Sequence, residues 1–328
     1  MTRTTFFAIA ALILISLSLF FASCKGRIDI PTEFPTPEPP PKSTPLPKIE
    51  LKPDAELTTQ IAKIAEVAKG KVGVAAVVVE TGQFAGLNAE QQFPMQSVYK
   101  LPIAMAVMEQ IKRGELALDE KIGVSKEDMV RAGQRSQLRD ANPNGGEFTI
   151  RELILLSLVE SDGTASDVLM RVAGGAVEIQ AFLTQIGIRD IKVVNSEKEI
   201  GRDWETQYQN WATPLAAVEL LRGMREWSGE SDVDEKELVL HRFMIDSVPG
   251  TKRLKSELPK GTVVAHKTGT SGTQNGITAA TNDIGIIWLP NGKHLAIAVF
   301  VSDSQADEKT REAVIAKITK AIWEKWKG

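Results

Sequence analysis

Three short runs of this chain carry groups that could do chemistry on a carbonyl carbon. The first is Gln96-Ser97-Val98-Tyr99-Lys100. On a helix, a three-residue spacing puts Ser97 and Lys100 on one face and within reach of each other. A hydroxyl is a weak nucleophile until a base takes its proton. An amine on the next turn, partly desolvated and near other cations, can lose its own proton and act as that base. A solvated helix face explains the same pair. The second run is Glu160-Ser161-Asp162-Gly163-Thr164, where Ser-Asp before the apolar positions Val168, Leu169 and Val172 also reads as a helix cap. The third is His266-Lys267-Thr268-Gly269-Thr270-Ser271, at the end of a Val-rich strand. A glycine at a strand edge, here Gly269, lets a ligand backbone come close. A strand-ending turn is the plainer reading.

The elements that must bring these runs together follow from periodicity. Ala55 to Lys69 has apolar residues at helical spacing (Leu57, Ile61, Ile64) and ends at Gly70. Val72 to Glu80 reads as a strand with a turn at Thr81-Gly82. From Leu101 to about Leu258 the segments are mostly helical, with helices expected over Pro102–Arg113, Ile150–Val159, Thr164–Ala173 and Pro214–Arg225. Strand signals return at Thr262–His266, Ile284–Leu289 and His294–Ser302, with a hairpin turn at Pro290-Asn291-Gly292. Asp307–Trp326 closes the chain as a helix. Strands from both chain ends must form one sheet around the inserted helical block. The expected fold is therefore a two-lobe α/β (α+β) arrangement: an antiparallel sheet flanked by helices (51–100 plus 257–328) and an inserted all-α lobe (101–256). A cleft between lobes is a common place for a small-molecule site.

Composition removes several other functions. The 328 residues include 39 Lys+Arg against 42 Asp+Glu, a net charge of −3, so no basic excess exists to neutralise nucleic-acid phosphates. One Cys excludes an intramolecular disulfide, and three His with no metal-ligand spacing leave neither a metal site nor a Ser-His-Asp triad attractive. No cofactor is expected, and nothing suggests more than a monomer.

Arg3 precedes a 17-residue apolar stretch, Phe6 to Ala22, and then Ser23-Cys24, the layout of a bacterial export signal. Cys24 after small residues suggests cleavage behind residue 23 and acylation of the new N-terminus, with multiple acyl chains giving a stable membrane anchor. Phe21 is bulkier than usual at such a site, and an unmodified Cys24 or an uncleaved anchor are the alternatives. All three imply export, to the periplasm or the cell surface. Eight of the 16 prolines fall between Pro31 and Glu50, so 24–50 reads as a stiff extended tether.

The three runs occur in the order Ser-x-x-Lys, Ser-Asp-x, Lys-Thr-Gly, separated by 64 and 106 residues. That ordered set resembles class A serine β-lactamases and penicillin-binding proteins. Phe93-Pro94-Met95-Gln96-Ser97, Tyr208-Gln209-Asn210-Trp211, the His266–Gly272 run and Ala279-Ala280-Thr281-Asn282-Asp283-Ile284-Gly285 resemble the extended-spectrum branch of class A. The resemblance spans about residues 52 to 328 and implies the following roles. Ser97 would attack the β-lactam carbonyl, with Lys100 accepting or relaying its proton. Ser161 would protonate the leaving nitrogen. Lys267, Thr268, Gly269 and Thr270 would hold the substrate carboxylate and set the field, and the N–H groups of Ser97 and Thr270 would form an oxyanion hole. Counting back from Tyr208, Glu197 takes the place of the family's deacylating glutamate, with Glu199 as second choice. Three departures stand out. Gly163 replaces the substrate-binding Asn of Ser-Asp-Asn, Gly201 replaces a residue that helps hold the hydrolytic water, and Arg135 falls where an aromatic often lines the entrance. A peptidase or acyltransferase on cell-wall peptides would need no Glu197. A weakened, tethered wall-binding protein would fit Gly163.

Overall fold

The computed structural model describes residues 45–226 and 235–328. The export signal, Cys24 and the tether as far as residue 44 lie outside the described residues.

The sheet is built from both ends of the chain, as its element order requires. Its long strands are β1 (Lys71–Val78), β2 (Gln83–Leu87), β3 (Val264–Thr270), β4 (Ile277–Trp288) and β5 (His294–Ser304). Two short strands, Lys52–Pro53 and Thr273–Gln274, extend it to seven. The order β2-β1-β5-β4 is antiparallel throughout, with β3 on the far side of β4. Registers such as Val299↔Val74 and Ile284↔Lys267 fix which side chains share a face.

Both faces are covered, so β1 and the Leu295–Val301 part of β5 read as continuous apolar runs, not alternating ones. In β5, Leu295, Ile297, Val299 and Val301 join the cluster formed with helices α1 (Ala55–Ala65) and α8 (Glu308–Trp326), through Leu57, Ile61, Ile315, Ile318 and Ile322. The intervening Ala296, Ala298 and Phe300 face the helical lobe. The period of two along a strand thus separates two cores. The helices between are α2 (Lys100–Lys112), α3 (Ile150–Val159), α4 (Gly163–Val172), α5 (Ala176–Gln185), α6 (Pro214–Glu226) and α7 (Glu235–Ile245). Helix α2 runs through the middle of this lobe, buried on nearly every side. Thr149 and Glu152 close a capping box on α3, which sets where that helix begins.

The last residues of the proline-rich stretch lie on the body of the domain. Leu46 N–H donates to the Ile186 carbonyl (3.1 Å), and Arg222 donates to the Pro47 carbonyl (3.1 Å). Leu46 and Ile49 pack on the core. Apolar side chains among the prolines give this end of the segment something to bury, so the domain starts before residue 51.

Candidate active site

Ser97 sits in a 3₁₀ turn, Gln96–Tyr99, that runs directly into α2 at Lys100. In a 3₁₀ turn residues three apart eclipse, so the serine and the lysine leave the turn in the same direction. Gln96, just before the nucleophile candidate, has φ of 47°, in the left-handed region. Its amide is tied to the loop opposite, Nε2 donating to Gln207 Oε1 at 2.7 Å. Pro102 in the first turn of α2 costs no hydrogen bond there.

Lys100 is 1% exposed, and a buried ammonium needs partners. Nζ donates to the Ser161 carbonyl at 2.8 Å and lies 3.3 Å from Glu197 Oε2. Ser161 occupies the turn between α3 and α4, also left-handed with φ of 59°. Asp162 holds that turn. As the N-cap of α4 it accepts from Ala165 N–H (2.9 Å), and it accepts as well from Leu138 N–H (2.8 Å) and the Ser136 hydroxyl (3.0 Å). The capping reading of this residue is the one found. Lys267, on β3 and fully buried, donates to Ser161 Oγ at 3.0 Å and to the Thr268 carbonyl at 3.2 Å. Burial first, and then the Lys100 charge, hold its amine well below the usual lysine range. An amine so poised can exchange a proton with the serine hydroxyl it touches.

Glu197 opens a one-turn helix, Glu197–Ile200, in the loop before α6. Its Oε2 accepts from the Tyr99 phenol at 3.0 Å as well as lying against Lys100. Glu199 is occupied elsewhere, closing a capping box with Ser196 (2.8 Å to its N–H). The structure therefore separates the two glutamates. The loop is fastened at several points. Asp167 on α4 accepts from the N–H groups of Glu197 (2.6 Å) and Lys198 (3.1 Å). Gln134 donates to the Glu197 carbonyl. Buried Asn210 accepts from Val194 and Asn195 N–H (both 2.9 Å) and donates to the Asn195 carbonyl (2.8 Å). Desolvation pushes the Asp167 carboxyl up to about 7, against its two backbone donors.

These groups face one cleft of about 560 Å³. Ser97, Ser161, Glu197, Thr268 and Thr270 line it, together with Arg135, Gly201 and Trp204. Lys100 and Lys267 lie beneath the floor, and neither Gly163 nor Gly269 is among the lining residues. The backbone that approaches Gly269 is the chain's own. A Cβ there would stand 2.2 Å from the Met95 carbonyl oxygen, so the glycine lets β3 pack on the segment leading to Ser97. Sequence reasoning passed over Tyr99, Asp167, Gln134, Gln96 and Gln207. For Tyr99 a signal existed, since it stands between Ser97 and Lys100 in the same motif.

A carboxylate held against the amine beside the nucleophile suits an enzyme that must release its acyl group to water, and so points away from wall acyltransferases toward serine β-lactamases. Comparison with known proteins agrees. Residues 56–326 match the model of the β-lactamase enzyme family, and the chain belongs to that family. It is 38% identical to the β-lactamase VEB-1 of Pseudomonas aeruginosa, over 81% of this chain and 89% of that protein. It is 35% identical to the extended-spectrum β-lactamase PER-1 of the same organism, over 82% and 86%. The crystal structure of the TLA-3 extended-spectrum β-lactamase superposes with a TM-score of 0.79 at 40% identity, covering 83% of this chain and 99% of that one. The protein is a class A serine β-lactamase, a hydrolase of β-lactams.

Proposed function

We propose that the protein is an exported, lipid-anchored, monomeric β-lactamase of extended spectrum, acting through an acyl-enzyme on Ser97. Ser97 Oγ attacks the lactam carbonyl carbon, and its proton passes by way of Lys100 to Glu197, 3.3 Å from the amine. The N–H groups of Ser97 and Thr270 take the developing oxyanion. The lactam C–N bond then breaks, and the nitrogen receives the Ser161 proton, which Lys267 at 3.0 Å replaces. Thr268 and Thr270, on the cleft wall, hold the substrate carboxylate beside Lys267. Before the second half the proton on Glu197 passes back through Lys100 to the Ser161–Lys267 pair, which restores the carboxylate; Glu197 then takes a proton from water as the water oxygen attacks the ester, and hands that proton to the departing Ser97 Oγ.

The observation that carries this reading is the linkage of Lys100 to Glu197 and of Lys267 to Ser161 under the cleft that Ser97 lines. Extended spectrum rests on the names of PER-1 and TLA-3. Export and anchoring rest on the apolar Phe6–Ala22 stretch followed by the chain's single cysteine, Cys24. The test is multiple turnover of a chromogenic cephalosporin by the purified protein, with intact mass followed in parallel. A single stable adduct with no turnover would instead identify a wall acyltransferase. Labelled fatty acid should enter the wild type and not Cys24→Ser. Equal labelling of both would remove the anchor.

A further inference from the structure

Gly163 and Tyr99 together form a seat for Glu197 that neither residue was expected to provide. At Gly163 the family resemblance leads one to expect an asparagine side chain; here that space is filled from the other side. A Cβ built on Gly163 would stand 2.7 Å from Glu197 Cγ, with the Arg135 carbonyl at 3.1 Å and Val130 Cγ1 at 3.3 Å. Cγ is the middle of the glutamate, not a free end that could swing aside. The glycine is pinned, its N–H donating to the Arg135 carbonyl at 2.8 Å. Its lost side chain is therefore room for the glutamate stem. At the far end of that stem, the Tyr99 phenol donates to Oε2 at 3.0 Å, the oxygen that also faces Lys100. Tyr99 is wholly buried, and burial together with the Glu197 charge drives its phenol well above the usual range, so it remains a donor.

We infer that Tyr99 is a positioning residue for deacylation: its hydroxyl and the gap at Gly163 fix the Glu197 carboxylate, with Oε2 saturated by Tyr99 and Lys100 and Oε1 left to face water. The inference rests on the reading of Glu197 as deacylating base. Acylation does not depend on this bond: its proton reaches Glu197 through Lys100, 3.3 Å from Oε2, whereas deacylation needs the carboxylate aimed at water. Tyr99→Phe keeps the ring and its packing and removes only the donor.

The experiment measures acylation and deacylation rate constants separately, by rapid quench and intact mass with a chromogenic cephalosporin, for wild type, Tyr99→Phe, Gly163→Ala and Glu197→Gln. A hydrogen bond to a charged group is worth about 1.5–3 kcal/mol, so deacylation by Tyr99→Phe should slow roughly ten- to a hundredfold. The acylation constant and kcat/KM should stay within about twofold, so that kcat and KM fall together. Gly163→Ala, whose new methyl crowds the same stem, should show the same split, and it serves alone if Tyr99→Phe does not fold. Unchanged deacylation in the folded variants, with Glu197→Gln accumulating acyl-enzyme, overturns the positioning role and leaves the base assignment intact. Acylation and deacylation falling in parallel also overturns it, as general damage to the site. Normal turnover by Glu197→Gln removes the base, and the inference with it.

Discussion

Among single residues, the arrangement of charge in the site depends on which groups burial leaves ionised. Asp167 receives two backbone donors from the loop yet has its carboxyl pushed up to about 7, because desolvation outweighs them. In the unfolded chain the same carboxyl titrates near 3.8. Between those values the folded protein binds the extra proton, so this group's contribution to stability is full at low pH and is lost as pH rises toward about 7. Asp167→Asn should flatten that part of the stability–pH curve, measured by urea unfolding at successive pH values. An unchanged slope would assign the titration to another group. Ser97, Lys100, Ser161 and Lys267 were legible in the sequence because their motifs pair them at short range or in a known order. Asp167 was not, and Tyr99 was marked only by its place in the first motif, since their partners lie 30 and 98 residues away.

At the scale of elements, the loop carrying Glu197 has little regular structure of its own and depends on Asn210. That side chain satisfies two N–H groups and one carbonyl in a fully buried position. Asn210→Ala leaves those groups without partners and should cost roughly 2–4 kcal/mol, read as a lower midpoint in thermal melts. It should also slow release of the acyl group, because Glu197 loses its mount. A melting curve like that of the wild type would show that other bonds hold the loop. The Tyr208-Gln209-Asn210-Trp211 run was readable as a landmark but not as a clamp, since its bonds cross to residues 15 and 16 positions earlier. The long helices α3 and α4 were read almost to the residue, because capping residues mark their starts. Strand β2, Gln83–Leu87, escaped the reading: five residues with a glycine among them carry too short a pattern, and it is defined by pairing with β1.

For the molecule as a whole, the decisive feature is that a sheet drawn from both chain ends brings β3 to the start of α2, while the helical block supplies Ser161 and the loop. Lys267 thus reaches Ser161 across 106 residues, and Lys100 reaches Glu197 across 97. The two-lobe fold was legible because strand signals bracket a helical block. The seating of Glu197 against Gly163 was not, because a glycine in sequence says nothing of what fills its space. On the function proposed here, this convergence gives a hydrolase whose second half-reaction belongs to Glu197. Intact mass of Glu197→Ala after mixing with a β-lactam tests it most directly. One equivalent of covalent adduct on Ser97, persisting long after the wild type has exhausted its substrate, is the predicted result. Wild-type turnover by that variant, with only the unmodified mass seen, would contradict it.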